Sequence, residues 1–465
     1  MLEKQQHRQT DRSLGMSRIE RRASVSLAAI MATRMLGLFM ILPVFALYAE
    51  SLPDATPFLI GLAIGIYGLT QALLQIPFGM ASDKYGRRVM ITIGLVLFAL
   101  GSVAAASADS LIGIVIGRAL QGAGAVAAVI MALTADLTRE EQRTKAMAII
   151  GMSIGGAFTL ALVIGPLLDH WIGISGIFWF TAALALVAII ILWTLVPEPA
   201  KSHMHHDAQL DPKLALSVLA NTQLLRLDAG ILILHAILTS IFIVVPFVLR
   251  DNLGIEANLH SWVYLPVLLL SAGAMVPFII IAEKKRKMKQ IFVGAVSLLG
   301  ISLLAMSQWY TLTIPFFVLL WLFFTAFNFL EASLPSLVSK TAPAARKGTA
   351  MGVYSSSQFM GAFIGGSAGG WLYGELGISG VFMFAAAMIA IWWVLAITMR
   401  PPTYLANLVM AVSNLTSKQA SELAVQLEKI AGVIEAVVII EENEVYLKVD
   451  NKILDNKALE QLLPS

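Results

Sequence analysis

Arg34, Arg118, Asp228, His235 and Glu331 stand inside long apolar runs of the chain. If those runs cross a bilayer, a charge at their centre costs about 2.5–3.5 kcal/mol on insertion scales, and residues kept there face a cavity or a partner. Glu331 lies near the middle of its run, with Asn328 one turn away on the same helical face. Low dielectric penalises the charged form of a carboxyl. That suits a group which takes up and gives off a proton in each cycle. The alternative is a structural Glu hydrogen-bonded to another helix. Arg118 either pairs with a substrate or nearby carboxylate, or serves helix packing. Arg34 either holds a neighbouring helix or lines a cavity. His235 titrates near neutrality where water reaches it; otherwise it is a hydrogen-bonded structural residue. Asp228 falls close to the end of its run, where a solvated or snorkelling position is expected rather than a coupling role.

These residues need long apolar elements to position them, and the composition supplies them. Of 465 residues, 58% are hydrophobic and 13% charged, where a soluble domain carries about 25% charged. With no cysteine, disulfides, thiolate metal sites and Cys nucleophiles are excluded. A net charge of +3 is no nucleic-acid signature. A crossing needs about 20 apolar residues. Twelve runs meet that measure, near 25–49, 58–82, 89–108, 110–136, 144–168, 174–196, 226–249, 260–282, 290–308, 312–339, 348–371 and 377–399. The first holds Arg34 and lacks a small-residue cleavage site, so a spanning helix is expected rather than a removed signal peptide. Loops alternate: those at Asp83–Arg88, Arg139–Lys145, Glu283–Lys287 and Arg346–Lys347 are basic, and those between carry almost no Lys or Arg besides Arg250. Basic loops stay in the cytosol, so both termini and the 197–225 loop are expected there. His203, His205 and His206 in that loop suggest a solvated linker more than a metal site, for want of a fourth ligand.

The expected organisation is an N-terminal segment 1–24, a six-helix half 25–196, a middle loop 197–225, a second half 226–400 and a tail domain 403–465. Six plus six is the layout of a transporter built from repeats, with a site near the midplane. The tail reads as strand, helix, two strands and helix (404–412, 418–431, 433–440, 444–449, 456–463). That is the order of a small α+β ferredoxin-like domain lacking its last strand, either a regulatory, ligand-sensing or self-associating module or a passive appendage.

Between the second and third runs stands Gly79-Met80-Ala81-Ser82-Asp83-Lys84-Tyr85-Gly86-Arg87-Arg88. Asp83 closes one helix, Gly86 permits the tight turn, and Arg87 and Arg88 open the next. On the fourth run stands Arg118-Ala119-Leu120-Gln121-Gly122-Ala123-Gly124, and on the fifth Gly165-Pro166. Over about residues 20–400 these segments resemble the major facilitator superfamily. They match its loop signature G-x3-D-[RK]-x-G-[RK]-[RK], its R-x-x-Q-G-x-G segment, and the G-P core of drug–proton antiporters. Asp169 and His170 replace the later glycines of that last motif, and Arg286 stands where Gly is usual in the second half's counterpart loop. The resemblance implies an all-α membrane fold of two six-helix halves in a bacterial inner membrane. It also implies a charge network of Asp83, Arg87, Arg88 and Asp136 holding the outward-open state.

Gly151, Gly155 and Gly156 on the fifth run and Gly361, Gly365 and Gly369 on the eleventh form small faces that permit close helix approach. In the family these two helices are equivalent, which makes their faces candidates for sliding surfaces. The expected function is proton-coupled secondary transport, with export of small, rather apolar molecules by a monomer that needs no cofactor. No G-x4-G-K-[ST] nucleotide loop occurs, and no nucleophile–base pair suggests an enzyme. An importer on the same fold, or a membrane sensor with the tail as output, are the alternatives.

Overall fold

The computed structural model describes residues 15–198, 220–342, 347–401, 406–412, 415–439, 444–450 and 453–462. The middle-loop histidines, Arg346, Tyr404 and the 441–443 turn lie outside them. Two compact units divide the chain, Met1–Ser339 with Ala345–Arg400, and Lys340–Ala344 with Pro401–Ser465.

In the first unit, ten helical stretches are long and apolar enough to cross a membrane. Two of them, Lys145–Thr194 and Gly348–Ile397, are 50 residues long. Each turns back at one glycine, Gly173 (φ 66°) and Gly377 (φ 67°). Only glycine takes such angles without a Cβ penalty, so each crossover between paired helices needs a single residue. The chain therefore crosses twelve times among the described residues. We number the crossings as spans. Spans one to four are Arg18–Phe39, Pro57–Tyr85, Arg87–Ala106 and Leu111–Asp136; five and six share Glu140–Thr194. Seven to ten are Thr222–Asn252, Ala257–Lys284, Met288–Trp309 and Thr313–Thr341; eleven and twelve share Lys347–Ile397.

Local chemistry sets the span ends. Ser17 and Glu20 form a capping box for span one. Thr56 caps span two with Pro57 in its first turn, and Asn221 caps span seven. Ser110 caps span four, and Asp54, from the loop before span two, also accepts from the Leu111 and Ile112 N–H groups at 2.9 and 3.3 Å. Those donors hold the Asp54 carboxyl below the usual carboxylate range. Span four breaks at Gly124–Val126, between helices Leu111–Ala123 and Ala127–Asp136.

Glycines bring the halves together. A Cβ at Gly61 or Gly68 of span two would run into the backbone of span eleven at Gly366 or Phe359. Gly361, Gly365 and Gly369 instead pack on span seven of their own half, at Leu232, Ala236 and Ser240. The small face expected on span five is not packed: nothing lies within 4 Å of a Cβ built on Gly151, Gly155 or Gly156. Among the described residues, three polar links join the halves. Ser356 Oγ donates to Ala72 O (3.2 Å), Ser261 Oγ to Val163 O (2.6 Å), and Arg250 pairs with Glu50 (2.9 Å). They lie at mid-depth or toward the end away from the basic loops.

The second unit is an antiparallel sheet in the order β1-β3-β2, with β1 Ala406–Ala411, β2 Val433–Ile439 and β3 Glu444–Val449. Helices Ser417–Leu427 and Asn456–Leu462 accompany it. Val445, Leu447 and Val449 alternate inward along β3 and pack with Leu427, Ile430 and Leu459.

Candidate functional site

Mid-depth in the second half, four spans converge on one polar cluster. Span seven contributes His235, span ten Asn328 and Glu331, span eleven Gln358, and span eight Ser271. Gln358 Nε2 donates to Glu331 Oε1 at 3.2 Å and lies 2.8 Å from His235 Nε2. An amide that gives its two protons to these atoms makes His235 Nε2 an acceptor and leaves the ring proton on Nδ1. Nδ1 faces Glu331 Oε2 at 3.8 Å. The Glu331 side chain is about one-third exposed (33%), whereas that of His235 is nearly enclosed. Oε2 itself is buried without a hydrogen-bond partner among the described residues, so the carboxyl group sits between a ring and an amide while other atoms of the side chain carry its exposure. Asn328 Nδ2 donates to Ser271 Oγ at 3.0 Å, tying span ten to span eight. Phe327 stacks on Phe158 across the halves, with centroids 6.1 Å apart. Gln358 and Ser271 were not singled out in the sequence; a polar side chain in an apolar run was their one signal.

The first half holds two buried guanidiniums that have no carboxylate partner among the described residues. Arg34 Nη2 donates to Tyr67 Oη (2.6 Å), Gln71 Oε1 (2.5 Å) and Gly124 O (3.0 Å). Arg118 donates to the Ala63 and Ile64 carbonyls of span two (3.2 and 3.3 Å) and to Gln121 Oε1 (2.9 Å). Gln121 in turn donates to Ser102 of span three. Both cations lie over the Tyr67 ring, at 5.8 and 5.1 Å. A Cβ at Gly122 would meet Tyr67 O and Thr70. The R-x-x-Q-G-x-G segment thus forms a packing knot of spans two, three and four. Gly165 lies against the Met40 backbone. Pro166 lacks an N–H to continue the helical ladder, and nearby Val163 O accepts from Ser261.

At the basic end, Arg87 pairs with Asp83 one turn earlier and with Asp136 of span four (3.1 Å). Arg87 also donates to Ser82 Oγ, itself bonded to Gly79 O. Gly86 takes φ 96° at the turn. Arg88 stands apart from this group, paired with Glu198 at 2.8 Å and set over Trp193. In the second half Arg286 adopts φ 52°, repeating with a non-glycine residue the positive φ of Gly86. Asp228 departs from its expected solvated position. It is 3% exposed, because Thr222–Phe247 is covered on nearly every face by neighbouring helices.

Two six-helix halves around a polar midplane site, crossing the membrane twelve times, define a carrier. The chain belongs to the major facilitator superfamily: the family model matches residues 27–358 and 289–420. It is 46% identical to the inner membrane transport protein YajR of Escherichia coli, over 96% of this chain and 97% of that one. An uncharacterized transporter of Buchnera aphidicola is 36% identical over 75% of this chain and 90% of its own length. Among solved structures, a bacterial homolog of the human lysosomal transporter Spinster, inward-facing and unoccupied, superposes with TM-score 0.64 at 15% identity, covering 83% of this chain and 98% of that one. Family membership makes the protein a transporter with an alternating-access fold, not an enzyme.

Proposed function

We propose that the protein is a proton-coupled exporter of small apolar molecules in a bacterial inner membrane, with its basic loops in the cytosol. The observation that carries this reading is the Glu331 carboxyl, half enclosed among His235 and Gln358 at the heart of the second half. Proton binding there removes a charge from low dielectric and frees Gln358 and His235 to rearrange. It shifts the balance between two open states only if the proton binds them with different affinity. The polar links between halves support a form open toward the basic end. The Asp83–Arg87–Asp136 group lies wholly inside the first half and moves with it. An imported sugar would call for a cavity rich in polar side chains, whereas Phe327 beside His235 belongs to a packed group of rings with Phe158, Phe323 and Phe324.

A ligand-induced thermal-shift screen on the purified protein supplies a transported compound. Its flux is then followed in proteoliposomes across an imposed pH gradient. Glu331→Gln is expected to abolish the dependence of flux on the gradient while leaving expression and folding intact. Wild-type pH dependence in that variant overturns the assignment.

A further inference from the structure

The glycine seam between spans seven and eleven sets a register. Gly361 faces Leu232, Gly365 faces Ala236 and Gly369 faces Ser240. One turn earlier on span seven is Asp228, on the same helical face as Leu232 and Ala236 and 3% exposed. Both of its carboxyl oxygens are buried and without a hydrogen-bond partner among the described residues. The Tyr354 hydroxyl of span eleven is likewise buried and unpartnered among the described residues. Among the described residues no cation is paired with the Asp228 carboxyl. Arg226, on its own helix, is committed to the Thr398 carbonyl of span twelve at 2.8 Å. Arg400, just beyond that span, is exposed. His235 lies about 10 Å deeper at 1.5 Å per residue, engaged with Gln358. Span ten contributes Glu331, itself an acid.

An acid with two dry oxygens and no counter-charge is disfavoured when ionised and comfortable when protonated. Asp228 stands six residues into span seven, about 9 Å from the basic end, and Glu331 ten residues from the end of span ten, about 15 Å. We propose that Asp228 is a second proton-binding site of this carrier, placed between Glu331 and the basic end; the inference rests on reading Glu331 as the first. A proton leaving Glu331 for Asp228 leaves one carboxyl ionised and the other neutral.

Infrared pH-difference spectra of the full chain in liposomes read protonated carboxyls directly, with no substrate required. The wild-type carboxylic carbonyl band is expected to fade as pH rises. Asp228→Asn removes one part of that change, Glu331→Gln another, and the double variant both. An Asp228→Asn spectrum identical to wild type overturns the second site while leaving Glu331 in place. A change in Asp228→Asn with none in Glu331→Gln overturns the first site and upholds Asp228 as a proton-binding group. Where Asp228→Asn does not fold, Asp228→Glu keeps the acid. A displaced band in that variant supports the site, and an undisplaced one overturns it.

Discussion

Glu331 and Arg118 look alike in the sequence, each an ionisable residue in an apolar run, yet their surroundings separate them. Glu331 meets an imidazole that can exchange protons and an amide that bonds one of its oxygens. Arg118 meets two backbone carbonyls, a Gln and a Tyr ring, all inside one half. The expected consequences differ accordingly. Glu331→Gln acts on coupling, read as flux against the pH gradient. Arg118→Met acts on stability: it leaves the buried Gln121 Oε1 without its donor, at about 1–3 kcal/mol, and removes the side chain that ties span four to span two. A clearly lowered apparent Tm in detergent is therefore expected, with insertion unchanged. A wild-type Tm would mean that the knot around Tyr67 contributes nothing.

At the level of elements, the seam between spans two and eleven depends on the absence of side chains. In Gly61→Val the new side chain meets the Gly366 carbonyl, which disfavours the form closed at the end away from the basic loops. The chain has no cysteine, so Ala49→Cys, at a fully buried position just ahead of span two, makes a clean reporter there. Faster thiol labelling is expected in the Gly61→Val background; an unchanged rate would show that the seam does not govern closure. Asp54 acts on a different element, the start of span four. Its folded-state carboxyl lies below the usual range because the Leu111 and Ile112 N–H groups favour the anion. Its charge therefore stabilises the fold above the ordinary carboxylate pKa of about 3.9, and that contribution fades as pH falls through the lower folded value. Asp54→Asn should lower the apparent Tm at neutral pH, with the gap closing in acid. A gap that widens in acid contradicts the sign.

For the whole molecule, the two units have separate cores. Leu427, Ile430, Val433, Val445, Leu447 and Leu459 form the core of the tail domain, while the twelve spans are complete by Arg400. Deleting residues 403–465 should leave the membrane unit inserted and monodisperse, as judged by size-exclusion chromatography in detergent. Failure to insert would make the tail part of the membrane fold. The polar links between halves, Ser356–Ala72, Ser261–Val163 and Arg250–Glu50, give the molecule its present form. None of their six residues advertised that role in one dimension.

The sequence alone determined the membrane class, the twelve crossings, the alternation of basic loops and the strand–helix order of the tail. Each follows from hydropathy, charge and periodicity counted along the chain, quantities that need no knowledge of what lies opposite. Partnership was decided by the tertiary structure. Gln358 joins His235 to Glu331, Arg88 turns to Glu198 instead of Asp136, and Asp228 is enclosed where its place near a helix end suggested solvent. The span-five glycines face open space while Gly61 and Gly68 carry the inter-half seam. A helix presents a different face every residue, and which face is covered depends on neighbours more than a hundred residues away.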